Sequence, residues 1–136
     1  MRRGIVVAGM LLAAPAAAQQ AFIEGVYLRS VEQCEKARKD GLQAVFGRGD
    51  VAMTARGIEG IEYHCDFLEV LRGNRSPGWR VSALCEEPGY AYPETLAVMP
   101  RGEGELELTA ASDMRNEDEN SGNSGMWFHC KDVPLP

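Results

Sequence analysis

The sequence has few histidines, no excess of positive charge and no apolar run long enough to cross a bilayer as a helix. It contains two histidines, and 14 Lys and Arg stand against 20 Asp and Glu, which gives a formal net charge of −6. Phosphate groups repel such an acidic chain, so nucleic acid and anionic membranes are excluded as expected partners. The chain also lacks a nucleophile elbow or a recognisable pair of catalytic carboxylates.

The N-terminal apolar run has the features of a secretory signal. Two arginines open the chain, the apolar stretch 4–12 follows, and Ala16 and Ala18 form a small-x-small cleavage site. The stretch is far shorter than the ~20 residues that a membrane-spanning helix needs. We predict a signal peptide over 1–18 and a single domain over 19–136, which is periplasmic or secreted and does not insert into the membrane after cleavage.

Four cysteines follow the predicted signal peptide, namely Cys34, Cys65, Cys85 and Cys130. An even number of cysteines in a small exported domain is typical of structural disulfides. The strand register described below favours a Cys65–Cys85 bridge, which leaves Cys34 to pair with Cys130. Three connectivities remain formally possible from the sequence alone.

Short runs of alternating apolar and polar residues, separated by Gly, Pro and Asn clusters, predict a mainly β domain. We expect roughly seven strands in a small antiparallel meander that closes into a barrel or a sandwich, because closure hides strand edges. The predicted strands cover residues 22–28, 51–55, 61–71, 79–85, 95–99, 105–110 and 126–130. The intervening segment 57–60 is expected to be a turn.

One segment departs from the β pattern. Residues 30–33 read Ser-Val-Glu-Gln, the form of a capping box, and predict one short helix after the first strand. The apolar run 42–46 is ambiguous, since five residues do not distinguish a helix from a strand by period alone.

The clearest hairpin joins the runs around Cys65 and Cys85. Placing these two residues opposite each other gives both strands an apolar inner face and a polar outer face. The register predicts the pairs Phe67–Ala83 and Leu71–Trp79 inside, and His64–Glu86 and Val70–Arg80 outside. Glu69 opposite Val81 is the one mismatch.

Two patterns resemble metal sites. Residues 64–65 and 129–130 are His-Cys neighbours, but adjacent strand residues face opposite ways and disulfides consume the thiolates. Segment 116–122 alternates oxygen-bearing side chains as a calcium loop does, but its glycine comes one position late and Trp127 stands where the closing Glu belongs. We predict no metal, no cofactor and no catalytic residue, and therefore not an enzyme.

Binding is the remaining function class. Segment 112–125 has almost no apolar residues and predicts a mobile acidic loop, and loops on a rigid scaffold commonly carry binding. Aromatic rings suit sugars and apolar ligands, so Trp127, Tyr90 and Tyr92 are candidate contact residues. The expected partner is an envelope protein or a small ligand, and the oligomeric state is open.

Aromatic, glycine and cysteine positions follow one another as Gly25-x-Tyr27, Cys34, Glu62-x-x-Cys65-x-Phe67, the run from Trp79 to Cys85 and a terminal aromatic-x-Cys. This layout resembles small secreted proteins of unknown function from proteobacteria. Within it, Tyr63-x-Cys65-Asp66 is similar to the periplasmic C-type lysozyme inhibitors, whose fold is a small β-barrel. The chain lacks their Ser- and Lys-bearing inhibitory loops, so no functional residue is carried over.

Together these features predict an exported, non-catalytic β-barrel that binds a ligand or a protein. Inhibition of a periplasmic enzyme is the first alternative. A small hydrolase or a metal-dependent enzyme is the second.

Overall fold

The computed structural model describes residues 22–115 and 122–136. Within these ranges, eight antiparallel strands form a closed barrel in chain order. The strands are β1 (Tyr27–Leu28), β2 (Ala52–Thr54), β3 (Gly57–Glu59), β4 (His64–Arg72), β5 (Trp79–Glu87), β6 (Tyr90–Gly102), β7 (Glu105–Ala110) and β8 (Gly125–His129). The prediction of a mainly β domain closed into a barrel is confirmed, with one strand more than expected.

Two helices, α1 (Val31–Asp40) and α2 (Leu42–Phe46), connect β1 to β2. Ser30 caps α1, because its Oγ accepts a hydrogen bond from the Gln33 backbone N–H at 3.2 Å. Gln33 reciprocates one residue earlier than a standard capping box, since its Oε1 accepts from the Arg29 N–H at 2.9 Å. A helix after the first strand is thus confirmed, and the ambiguous run 42–46 forms a second one.

The predicted signal peptide, residues 1–18, lies outside the described residues. No helix in the described part of the chain is long and apolar enough to cross a membrane.

The chain has two apolar cores on opposite sides of the barrel wall. The inner core fills the barrel and includes Met53, Ile58, Val81, Leu96, Val98, Leu108 and Trp127. The outer core packs α1 and α2 against the wall and includes Val26, Leu28, Ala37, Val45, Phe46 and Ala52. Strand β8 serves both cores, since Trp127 belongs to the inner one and Phe128 packs against the outer one. This division follows from the period of two along a strand.

The β4–β5 hairpin follows the predicted register only as far as Phe67. The pairs His64–Glu86, Cys65–Cys85 and Phe67–Ala83 are confirmed. A bulge between Phe67 and Glu69 then shifts β4 by one residue. The predicted pairs Leu71–Trp79 and Val70–Arg80 are therefore wrong, and the observed pairs are Arg72–Trp79, Leu71–Arg80 and Val70–Val81.

The bulge gives a physical reason for the one mismatch in the predicted register. Without it, Glu69 would oppose the fully buried Val81. The extra residue is Leu68, which is exposed, and it places Glu69 opposite Ser82 instead. A bulge inserts one unpaired residue and so changes which side chains meet.

Other strand boundaries also differ from the prediction. Residues 57–59, expected as a turn, form β3 and pair with both β2 and β4. Glycine permits this close packing, because a Cβ at Gly57 would lie 2.0 Å from the Cys65 carbonyl oxygen. The predicted strand 22–28 was too long, since β1 has two residues. The predicted strand 61–71 began too early, since β4 begins at His64. Strand β6 is longer than predicted and has 13 residues.

Both predicted disulfides are present. Cys65 and Cys85 join the neighbouring strands β4 and β5, with their Cα atoms 3.9 Å apart. Cys34, in α1, joins Cys130 directly after β8, with a Cα separation of 5.1 Å. The second bridge ties the helical layer to the last strand of the barrel.

Removal of either disulfide should destabilise the protein, and by a different amount for each. We expect C34A/C130A to lower the free energy of unfolding by about 4 to 5 kcal/mol and C65A/C85A by about 3 kcal/mol, because the first bridge closes the longer loop in the unfolded chain. The sequence separations are 96 and 20 residues. Urea denaturation of both double variants checks this, and a larger loss in C65A/C85A would contradict it.

Candidate functional site

A cleft of about 670 Å³ opens at one end of the barrel. Its walls are the α2–β2 loop, the β3–β4 and β5–β6 turns, and the segments that follow β7 and precede β8. At the opposite end of the barrel, Phe22 packs edge-on against Phe67 and Trp79, with ring centroids 6.0 and 5.4 Å away. A second cleft of about 440 Å³ lies beside the β4–β5 turn at that opposite end, and the larger of the two lies at the end where β4 begins.

Tyr63 is the centre of a polar network in this cleft. Its hydroxyl lies 2.8 Å from Cys65 Sγ, and the hydroxyl must be the donor because a disulfide sulfur carries no proton. The same oxygen accepts from Asn123 Nδ2 at 2.6 Å and hydrogen bonds with Tyr92. The network links three separate segments of the chain beside the Cys65–Cys85 bridge.

The two tyrosines of the network hold their protons strongly. Burial is the largest cause raising the pKa of Tyr63 above 10.0. Burial also raises the pKa of Tyr92, and its hydrogen bond to Tyr63 adds to the effect. Both groups therefore act at neutral pH as neutral hydroxyls that form hydrogen bonds, and not as bases.

Trp127 holds Asn123 in place, because its indole N–H donates to the backbone carbonyl of Asn123 at 3.0 Å. Trp127 has no exposed surface, which corrects the expectation that its ring offers a contact surface. The guanidinium of Arg29 lies 4.9 Å from the centroid of the Trp127 ring, and its Nη2 donates to the Ser124 carbonyl at 2.6 Å. Trp127 and Arg29 thus support the cleft without lining it.

Glu94 anchors the segment that follows β7. Its side chain points into the barrel and is 6% exposed, and it accepts hydrogen bonds from the Thr95 N–H at 2.8 Å, the Ser112 N–H at 3.3 Å and the Ser112 hydroxyl. Asp113 Oδ2 accepts from the Ser124 N–H at 2.9 Å. Both ends of the predicted acidic loop are therefore fastened to the barrel, while residues 116–121 lie outside the described part of the chain.

The rim of the cleft carries carboxylates from four separate segments of the chain. Asp50, Glu62, Glu87 and Asp113 line it, and no Lys, Arg or His is among the lining residues in the described ranges. Tyr90 orients one of them, because its hydroxyl donates to Glu87 at 2.9 Å. The cleft therefore has a negative rim.

The candidates Tyr90 and Tyr92 come together at this rim. Their rings stack with centroids 5.6 Å apart. Tyr92 lines the cleft, whereas Tyr90 stands outside it and is 59% exposed. Their role as contact residues stays a prediction.

The two His-Cys neighbours do not come together in one site, because His64 and His129 have different partners. His64 meets Glu86 on the barrel exterior, at 3.2 Å, and His129 packs near Tyr27, with ring centroids 5.3 Å apart. In residues 22–115 and 122–136, no group of three or more His, Cys, Asp or Glu side chains is arranged to hold a metal ion.

The sequence interpretation missed Tyr63 and Asn123 as cleft residues and Glu94 as a residue that supports the cleft. Tyr63 stands two positions before Cys65, so the alternation placed it on the correct face without marking its role. Asn123 and Glu94 carry no local signal, because each acquires its role through partners distant in sequence.

Comparisons with protein-family models, curated proteins and solved structures found no match to this chain. The resemblance to small secreted proteins and to lysozyme inhibitors therefore stays a prediction. The two disulfides fit an oxidising, extracytoplasmic compartment.

The raised tyrosine pKa values predict a loss of stability in alkali. Since the folded protein retains protons that the unfolded chain releases above about pH 10, the free energy of unfolding is at its full value below pH 10 and falls as pH rises further. Urea midpoints measured across this range under oxidising conditions should show the fall. In Y63F/Y92F the urea midpoint should fall less steeply with pH than in the wild-type protein. Equal slopes in the variant and the wild type would contradict the assignment of the fall to these two tyrosines.

Proposed function

We propose that the chain is an exported, non-catalytic β-barrel that binds a small ligand in the cleft at its open end. The observation that carries the proposal is the cleft itself, because small-molecule sites measure roughly 300 to 1,000 Å³ and combine apolar walls with a few polar groups. Its volume of about 670 Å³ falls in this range. Phe46, Val51 and Tyr92 provide apolar and aromatic wall, and Asn123 provides a fixed polar group.

Export to the periplasm or the medium is part of the proposal. The N-terminal charge, the short apolar run and the small residues after it support a signal peptide. The pairing of Cys34 with Cys130 and of Cys65 with Cys85 supports an oxidising destination.

Binding is favoured over hydrolysis by the state of the polar network at the cleft. Tyr63 and Tyr92, which line the cleft, hold their protons, and the carboxylate of Glu94 behind it is used by three hydrogen bonds to its own chain. Such groups position a ligand but do not remove a proton from it.

Enzyme inhibition is the second candidate function. The rim carries exposed apolar surface at Ile61, 69% exposed, and at Tyr90, beside the carboxylates of Glu62 and Glu87. A basic protein could insert a side chain into the cleft and cover these residues, as aromatic and aliphatic anchors do in protein interfaces.

The binding proposal predicts where small molecules contact the protein. We expect amide NMR titrations of the oxidised chain over 19–136 with a library of anionic, neutral and cationic fragments to give shift changes clustered in the cleft-lining loops. I61W should weaken these changes because its ring projects over the cleft. L68W, at an equally exposed position (68%) on β4 that lines neither this cleft nor the one at the opposite end, should not. Shift changes confined to residues outside the cleft, or none for any fragment, would contradict the proposal.

A further inference from the structure

We infer that the ligand of this cleft is a protonated amine with an apolar body. The inference rests on the proposed function and adds the chemical class of the ligand. It depends on an unused hydrogen-bond acceptor on Asn123, on the sign of the charges around the cleft and on its apolar walls.

Asn123 is a buried polar side chain with one atom left for a ligand. It is 6% exposed, and its Nδ2 is used by Tyr63. No described residue donates to its Oδ1. Asn123 lines the cleft, so we take its Oδ1 as the acceptor that the cleft offers to a ligand.

The rest of the network leaves no donor in competition with that acceptor. The Tyr63 proton is directed to Cys65 Sγ, and the Tyr92 hydroxyl bonds with Tyr63. A ligand that reaches Asn123 Oδ1 must bring its own N–H or O–H donor.

The charges at the rim favour a cationic donor. Asp113 has the guanidinium of Arg29 nearby, but Asp50, Glu62 and Glu87 form no ion pair with any side chain that the structure describes. Three carboxylates around a cleft with low-dielectric walls attract a positive ligand and repel an anion. An ammonium group satisfies both requirements, since it carries N–H donors and a positive charge.

The walls of the cleft suit an organic body better than a bare metal ion. Phe46, Val51, Ile61 and Pro88 line it together with the ring of Tyr92. The carboxylates belong to separate segments, and within the described ranges no three of them are grouped as metal ligands. Aromatic faces also attract ammonium groups.

The decisive experiment compares three probes of nearly equal shape, namely benzylamine, benzyl alcohol and benzoate. Titration of the oxidised chain at neutral pH, followed by amide NMR, should show benzylammonium at the cleft with an affinity about tenfold or more above that of benzyl alcohol, and no binding of benzoate there. If benzyl alcohol binds equally well at the cleft, the amine class is wrong while the proposed function stands. If none of the three shifts the cleft residues, this inference fails, and the fragment library decides the proposed function separately.

Charge neutralisation tests the rim. E62Q/E87Q should weaken benzylammonium about tenfold and leave benzyl alcohol unchanged. E35Q/E103Q removes the same charge from exposed sites away from the cleft and should change neither affinity. If both double variants weaken benzylammonium equally, the attraction comes from the net charge of the protein, and the role given to Glu62 and Glu87 is wrong.

Asn123 is tested by the ratio of the two affinities. N123A should reduce benzylammonium binding more than benzyl alcohol binding, because the ionic donor loses the stronger hydrogen bond. A merely structural loss would weaken both probes by the same factor and would contradict the role of Asn123. The thermal unfolding midpoint of N123A, measured alongside, shows whether the barrel remains folded.

Discussion

Closure of the barrel depends on its shortest strand, β1. Its two residues connect both edges of the sheet, since Tyr27 pairs with Met53 on β2 and with His129 on β8, and Leu28 pairs with Phe128. So short a ladder contributes few hydrogen bonds, and the seam is reinforced from outside by the Cys34–Cys130 bridge and by the apolar layer beneath α1 and α2. Closure removes the strand edges that would otherwise template aggregation. The helical layer is therefore part of the barrel's stability and not an appendage.

The closed barrel also decides where a ligand can bind. An eight-stranded barrel has an interior just wide enough to be filled by side chains, and Trp127, Leu96 and Val98 fill it here. Space remains at the end where Tyr63, Tyr92 and Asn123 replace apolar residues. These polar groups hydrogen bond with one another, Arg29 secures the segment that carries Asn123, and Glu94 secures the segment that follows β7. Rigid placement of a few polar groups above an apolar core is the arrangement that a specific binding site requires.

Alternation and cysteine pairing predicted much of the β4–β5 hairpin and strand β7, because a period of two assigns each residue to a face and an opposed cysteine pair sets the register. The mismatch of Glu69 with Val81 was the sequence trace of the bulge. Strand β6 was predicted too short, because Pro93 and Pro100 lie in it and proline usually ends a strand. β3 was missed because its glycine looked like a turn residue, whereas here it permits close approach to β4.

The sequence by itself determined the β class of the domain, its acidity and the helix after the first strand, since each depends on local pattern. It favoured the two disulfide pairs that the structure contains, because the alternation of β4 and β5 sets Cys65 opposite Cys85. Tertiary structure alone decided that Trp127 faces inward and that Tyr63, Tyr92 and Asn123 meet in one cleft. The physical reason is that a cleft at a barrel end is made of loops remote in sequence. Their approach is set by strand order and register, as in the contact of Asn123 with Tyr63, and no local pattern encodes it.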